Sequence, residues 1–80
     1  MNIRGLVTRL NGELVKNEKA TKYSTGQYHI KVNDTIICIE HGYLDGGVVV
    51  RITNTEKRTR RDFQTYSLND AYNEILEVLA

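Results

Sequence analysis

The chain has 80 residues, of which 40% are hydrophobic and 26% charged, and its formal net charge is +1. That composition folds as one small α+β-sized globule and excludes disorder, a second domain and a polyelectrolyte that binds nucleic acid by bulk charge. A single cysteine, Cys38, excludes an internal disulfide and a cysteine-rich zinc motif. With no signal-peptide pattern and no long apolar run, the sequence reads as cytoplasmic with no membrane partner.

Charge is segregated along the chain. Residues 1–31 carry +4, residues 32–50 carry −3, residues 51–61 carry +4 and residues 62–80 carry −4. One local stretch, rather than the whole protein, is therefore suited to an anionic partner.

Ile3, Leu6, Val7, Leu10 and Leu14 recur at helical spacing and predict an amphipathic first helix. Asn11-Gly12 is a strong hairpin signal. A turn there, however, would set Leu10 against Glu13 and Val7 against Lys16, mixing apolar and charged residues on each face. The helix reading is preferred, stopping with Gly12 as a left-handed cap or running on to Lys16. Residues 17–26 have no clear period and read as a connection.

Strand signals then become regular. Gln27–Val32 alternates Tyr28, Ile30 and Val32 against His29 and Lys31. Strands at Thr35–Leu44, Gly47–Glu56 and Thr59–Tyr66 follow, joined by two-residue turns at Asn33-Asp34, Asp45-Gly46 and Lys57-Arg58. Residues directly opposite in an antiparallel pair share a face. The three turns set Tyr28 opposite Ile39, Ile39 opposite Ile52 and Ile52 opposite Phe63, one apolar row. They also set Glu40 opposite Arg51, a cross-strand charge pair, and Arg51 opposite Gln64. Ser67 caps a last helix in a capping-box arrangement with Asp70. Leu68, Ala71, Tyr72, Ile75, Leu76 and Leu79 form that helix's apolar stripe. The expected fold is α+β: a four-stranded antiparallel meander with N- and C-terminal helices packed on one face (α-β-β-β-β-α), the other face open.

On the open face His29 falls opposite Cys38, with Glu40 and Asp62 nearby. A Cys–His pair is the minimum for an activated thiolate, and these side chains are also metal ligands. A flat sheet face excludes water poorly, no oxyanion donors are evident, and cysteine commonly serves as a small apolar packing residue. No catalytic, metal or cofactor site is expected. His41 and Tyr43 fall at the edge of the apolar face, and Gly42, Gly46 and Gly47 serve the second turn.

The candidate binding residues are Lys57, Arg58, Arg60 and Arg61 at the third hairpin, with Lys31 and Arg51 on the open face and the outward Val49 and Tyr66. Threading the meander brings the Asn33-Asp34 turn beside the basic tip. A charged tip also discourages edge-to-edge aggregation, which is the bland use of the same residues. The open face, with Ile36, Cys38, Val49 and Tyr66 among polar groups, suits a protein interface or a homodimer contact.

A helix, several strands and a final helix resemble the double-stranded-RNA-binding domain, and Gly26-Gln27-Tyr28-His29 is loosely similar to that family's loop. The last helix starts Ser67-Leu68-Asn69-Asp70, acidic where that family is lysine-rich, so its RNA contacts do not carry over. In build alone the chain resembles small phage-encoded inhibitors of host defence such as anti-CRISPR proteins. The expected function is a non-enzymatic binding or inhibitor protein, associating stoichiometrically with a larger protein or protein–nucleic-acid complex. The alternative is a small nucleic-acid-binding module using the basic 57–61 hairpin.

Overall fold

A computed structural model describes residues 1–41 and 47–80. The elements are α1 (Ile3–Arg9), β1 (Glu13–Glu18), β2 (Gly26–Val32), β3 (Thr35–His41), β4 (Val48–Asn54), β5 (Thr59–Thr65) and α2 (Leu68–Leu79). The strands form one antiparallel sheet in chain order, β1-β2-β3-β4-β5. The fold is α+β with an antiparallel sheet, as expected, but the sheet has five strands rather than four.

The missed strand follows from how α1 ends. Asn2 starts the helix, its side-chain oxygen accepting from the Gly5 N–H at 2.8 Å. At the other end the Asn11 N–H donates to the Thr8 carbonyl at 3.1 Å and the Gly12 N–H to the Val7 carbonyl at 3.0 Å. Asn11 itself is left-handed, with φ 56°. This is the Schellman pattern, with Asn11 rather than Gly12 in the left-handed place. Gly12 serves close approach instead: a Cβ there would lie 2.7 Å from Ile30 Cγ2 and 3.0 Å from the Lys31 carbonyl oxygen.

With the helix closed at Asn11, residues 13–18 pair with β2 instead of extending α1 to Lys16. Leu14 faces Ile30, and Lys16 faces His29, with a register irregularity between them. The extra residue, Val15, breaks the two-residue period and hides the strand from a pattern search. The residues read as a connection are thus split, Asn17 and Glu18 belonging to β1 and Gly26 to β2.

The first hairpin has the expected register, Tyr28 facing Ile39 and His29 facing Cys38. The next two are each displaced by two residues: Ile39 faces Val50, Val50 faces Phe63, and Ile52 faces Arg61. In the last hairpin the cause is the loop. Residues 55–58 form it, not Lys57-Arg58 alone. Asn54 holds it, its side-chain oxygen accepting from the Lys57 N–H at 2.8 Å, and Arg58 takes the left-handed conformation at φ 56°. The strands accordingly end at His41, Asn54 and Thr65, short of the expected bounds. The Asp45-Gly46 turn and Tyr43 lie outside the described residues.

A two-residue displacement preserves which face each side chain occupies. The apolar row therefore runs Tyr28–Ile39–Val50–Phe63, with Val50 in the place expected for Ile52. Ile30, Ile37, Ile39, Val48 and Val50 join Leu6 and Leu10 of the N-terminal segment and Leu68, Ala71 and Ile75 of α2 in one buried cluster. Ser67 caps α2, its hydroxyl accepting from the Asp70 N–H at 3.1 Å. The Arg9 guanidinium lies over the Tyr72 ring, 5.9 Å from its centroid, tying the two helices. Among the described residues no helix is long and apolar enough to cross a membrane.

Candidate functional site

Side chains of the opposite parity build the second face of the sheet. The central strands contribute polar residues from β2 (Gln27, His29 and Lys31) and polar and apolar mixtures from β3 (Ile36, Cys38 and Glu40) and β4 (Val49, Arg51 and Thr53). Arg60, Asp62 and Gln64 complete it from β5. None of these is buried. Gln27, His29, Ile36, Cys38 and Thr53 are half-buried and form its centre. Lys16 reaches in from β1, donating to the Gln27 side-chain oxygen at 3.3 Å. A shallow depression of about 550 Å³ lies between Cys38 and Arg51, lined also by His29, Glu40, Val49 and Asp62.

Asp62 organises the basic side of this face. Its Oδ1 lies 3.1 Å from Arg51 Nε and its Oδ2 lies 3.1 Å from Arg60 Nη2. The expected Glu40–Arg51 pair does not form, because the displaced register sets Glu40 opposite Val49 and Arg51 opposite Asp62. The carboxylate that does the pairing comes from the edge strand.

His29 and Cys38 are neighbours in register. Burial pushes the Cys38 thiol above its ordinary pKa, outweighing the pull of the Arg51 and Lys16 charges. Burial thus favours the protonated thiol over the thiolate at this position. Among the described residues no three His, Cys, Asp or Glu side chains converge as a metal site.

Lys31, Arg51, Arg60 and Val49 lie on this face, with Val49 44% exposed. Tyr66, just beyond β5, is 91% exposed and borders a small depression with Gln64. Arg61 is elsewhere. It faces Ile52 on the opposite side of the sheet and borders a groove with Asn54, Thr59 and the α2 residues Val78 and Leu79. Adjacent strand positions alternate faces, so the Arg60 and Arg61 side chains leave the strand on opposite sides, although Lys57, Arg60 and Arg61 all border this groove. Lys57 and Arg58 are exposed in the loop.

The expected neighbour of the basic tip is present. The Thr55 N–H and hydroxyl both donate to the Asp34 carbonyl at 3.0 Å, clamping the β2–β3 turn against the β4–β5 loop. This clamp brings two carboxyls together. A hydrogen bond between the Glu56 and Asp34 side chains, reinforced by their proximity in charge, holds Glu56 above its ordinary pKa. A count of Lys and Arg over residues 57–61 misses these two acids, since one of them comes from another hairpin.

No protein-family model matches this chain, and comparison with curated proteins and with solved structures finds no match.

Proposed function

We propose that this chain is a non-enzymatic binding protein that associates stoichiometrically with a larger protein or protein–nucleic-acid complex. The observation that carries this reading is the second sheet face. A half-buried centre of Ile36, Cys38 and His29 is rimmed by Val49 and by the Arg51–Asp62–Arg60 ion pairs. Apolar groups at the centre and polar groups at the rim are the make-up of protein contact surfaces. Action by occupancy alone, as in the small inhibitors whose build the chain resembles, needs nothing more than such a contact.

A bare nucleic acid is served less well. Phosphate binding draws on several unpaired cations along one surface. Here Arg51 and Arg60 are engaged by Asp62, Arg61 is on the other face, and the Asp34–Glu56 carboxyl pair adds acidic groups at the hairpin that carries Lys57 and Arg58. The test is affinity capture from native extract with the tagged chain, comparing the parent with Val49→Asp and with the Lys57→Glu/Arg58→Glu double variant. Val49→Asp is expected to lower recovery of the partner about tenfold or more, as a charge replacing an apolar group beside the contact centre does. Recovery should survive nuclease and fall only modestly between 50 and 200 mM salt, against the ~10³-fold or greater loss of a multi-phosphate contact. Capture that is abolished by nuclease and indifferent to Val49→Asp would make the hairpin module the correct reading.

A further inference from the structure

We infer that the open sheet face pairs with the same face of a second copy of this chain, about a twofold axis running along β3. This rests on the reading of that face as an association surface and names its occupant. The second copy then covers the face in the free chain, and a larger partner that uses the same face displaces it.

The argument starts from the strand that sequence patterning missed. With β1 counted, the sheet has five strands and β3 is its centre. A twofold axis parallel to β3, above this face, lays β1 over the second copy's β5, β2 over its β4 and β3 over itself. Each row of residues then meets the same row. The registers define three rows: Glu13–Lys31–Ile36–Thr53–Arg60, Lys16–His29–Cys38–Arg51–Asp62 and Glu18–Gln27–Glu40–Val49–Gln64.

Across the axis Glu13 meets Arg60 of the second copy and Lys16 meets its Asp62, each pair occurring twice. Four complementary pairs thus stand at the rim, where Asp62 and Arg60 share the ion pair they make within one chain, and Lys16 its pair with Glu18, with the second copy. At the centre Ile36 and Cys38 lie against their own counterparts. Among the described residues His29 meets Arg51, and only Glu40 meets a like formal charge, its own counterpart. The alternative axis, across the strands, would set Lys16, Arg51 and Asp62 each against itself, so the charge pattern selects the axis along β3. Glu13, Glu18, Glu40 and Asp62 balance Lys16, Lys31, Arg51 and Arg60, so two such faces carry no net repulsion. This is the self-complementarity that an isologous contact requires.

Size and reach agree. Five strands spaced ~4.8 Å apart, with about six residues rising ~3.3 Å each, give a face of roughly 24 by 20 Å before side-chain relief is counted. That relief brings it toward the ~800 Å² per partner of a standard interface, from a chain whose total accessible surface is 5605 Å². Stacked sheets lie ~10 Å apart with strands within about 30° of each other, close enough for Lys, Arg and Glu to meet across the gap.

Sedimentation equilibrium of the full chain from micromolar to about half-millimolar tests this, over the range where dimers of this interface size populate. The wild type is expected at twice the 9.2 kDa chain mass. Lys16→Glu and Asp62→Lys should each sediment as monomers while keeping cooperative melts, because each introduces two like-charge contacts per dimer. Their equimolar mixture should return to the dimer mass, since the two altered positions meet each other and the remaining Lys16–Asp62 pair is native. Glu40→Gln should tighten association several-fold. A short bismaleimide should cross-link the wild type through Cys38, which lies near the axis. A wild type that is monomeric throughout, a Lys16→Glu variant that stays dimeric, or a folded mixture that stays monomeric would each overturn the inference. A monomeric wild type whose partner capture still depends on Val49 would leave the association reading standing and remove only the second copy.

Discussion

The two faces of the sheet are built from the same strands, and they respond to register in opposite ways. On the core side Ile37, Ile39, Val48 and Val50 have at most 1% of their surface exposed. Their immediate neighbours Ile36, Cys38, Val49 and Arg51 are half-buried or exposed. Displacing a hairpin by two residues exchanges Ile52 for Val50 in the apolar row, one β-branched aliphatic for another, and that face hardly notices. On the other face the two displacements set Arg51 opposite Cys38 instead of Glu40 and opposite Asp62 instead of Gln64, which changes its electrostatics altogether. Burial is degenerate within a parity class, whereas pairing of charges is specific to position.

The comparison is broken most severely by emptying the core side. Ile39→Ala should cost about 2–5 kcal/mol, the range for truncating a fully buried isoleucine. Cys38→Ala, one residue away on the other face, should cost under about 1 kcal/mol. Urea melts of the two variants would measure the contrast, and equal losses would mean that both faces are packed alike. Phe63 sits at the outer end of the row and is only half-buried, so Phe63→Ala should fall below the ~3–5 kcal/mol of a buried aromatic site.

Gly12→Ala probes the joint that delivers β1 to the sheet. Its Cβ would collide with Ile30 Cγ2 and press on the Lys31 carbonyl, so a loss of about 1–3 kcal/mol is expected from overpacking. An unchanged melt would mean that β1 can shift away from β2 without cost.

On the open face the expected effects are smaller. Asp62→Asn leaves the strand intact but releases Arg51 and Arg60. All three side chains are about half exposed, so the stability change in thermal or urea melts should stay within about 1 kcal/mol. A larger loss would show that the ion pairs hold β5 in place as well as shaping the surface.

The smallest effect is one of pH. The folded state holds the Cys38 thiol above its ordinary pKa, so the folded protein favours the protonated form. The associated stability is present below the unfolded thiol's pKa of ~8.5 and is lost as pH rises through the folded value. Melts between pH 7 and 10 should therefore show a slight alkaline decline that Cys38→Ala flattens. A decline that persists unchanged in the variant would assign it to another group.

Local sequence determined the elements whose signals are local. The Ser67 cap and the Leu68–Ala71–Ile75 stripe define α2, and the alternation around Asn33-Asp34 set the first hairpin in its observed register, because a tight two-residue loop leaves one pairing compatible with both apolar patterns. Parity along each strand also sufficed to separate core from surface. Tertiary structure decided the rest. Residues 13–18 form β1 only because α1 is stopped at Asn11 and β2 offers a free edge, and the bulge at Val15 removes the periodicity that would have announced it. Loop length at residues 55–58 decided Arg51's partner, and the Thr55–Asp34 clamp put carboxyls from two hairpins at one tip. Those outcomes depend on which distant backbone groups find hydrogen-bond partners, a question that the residues of a single strand do not answer.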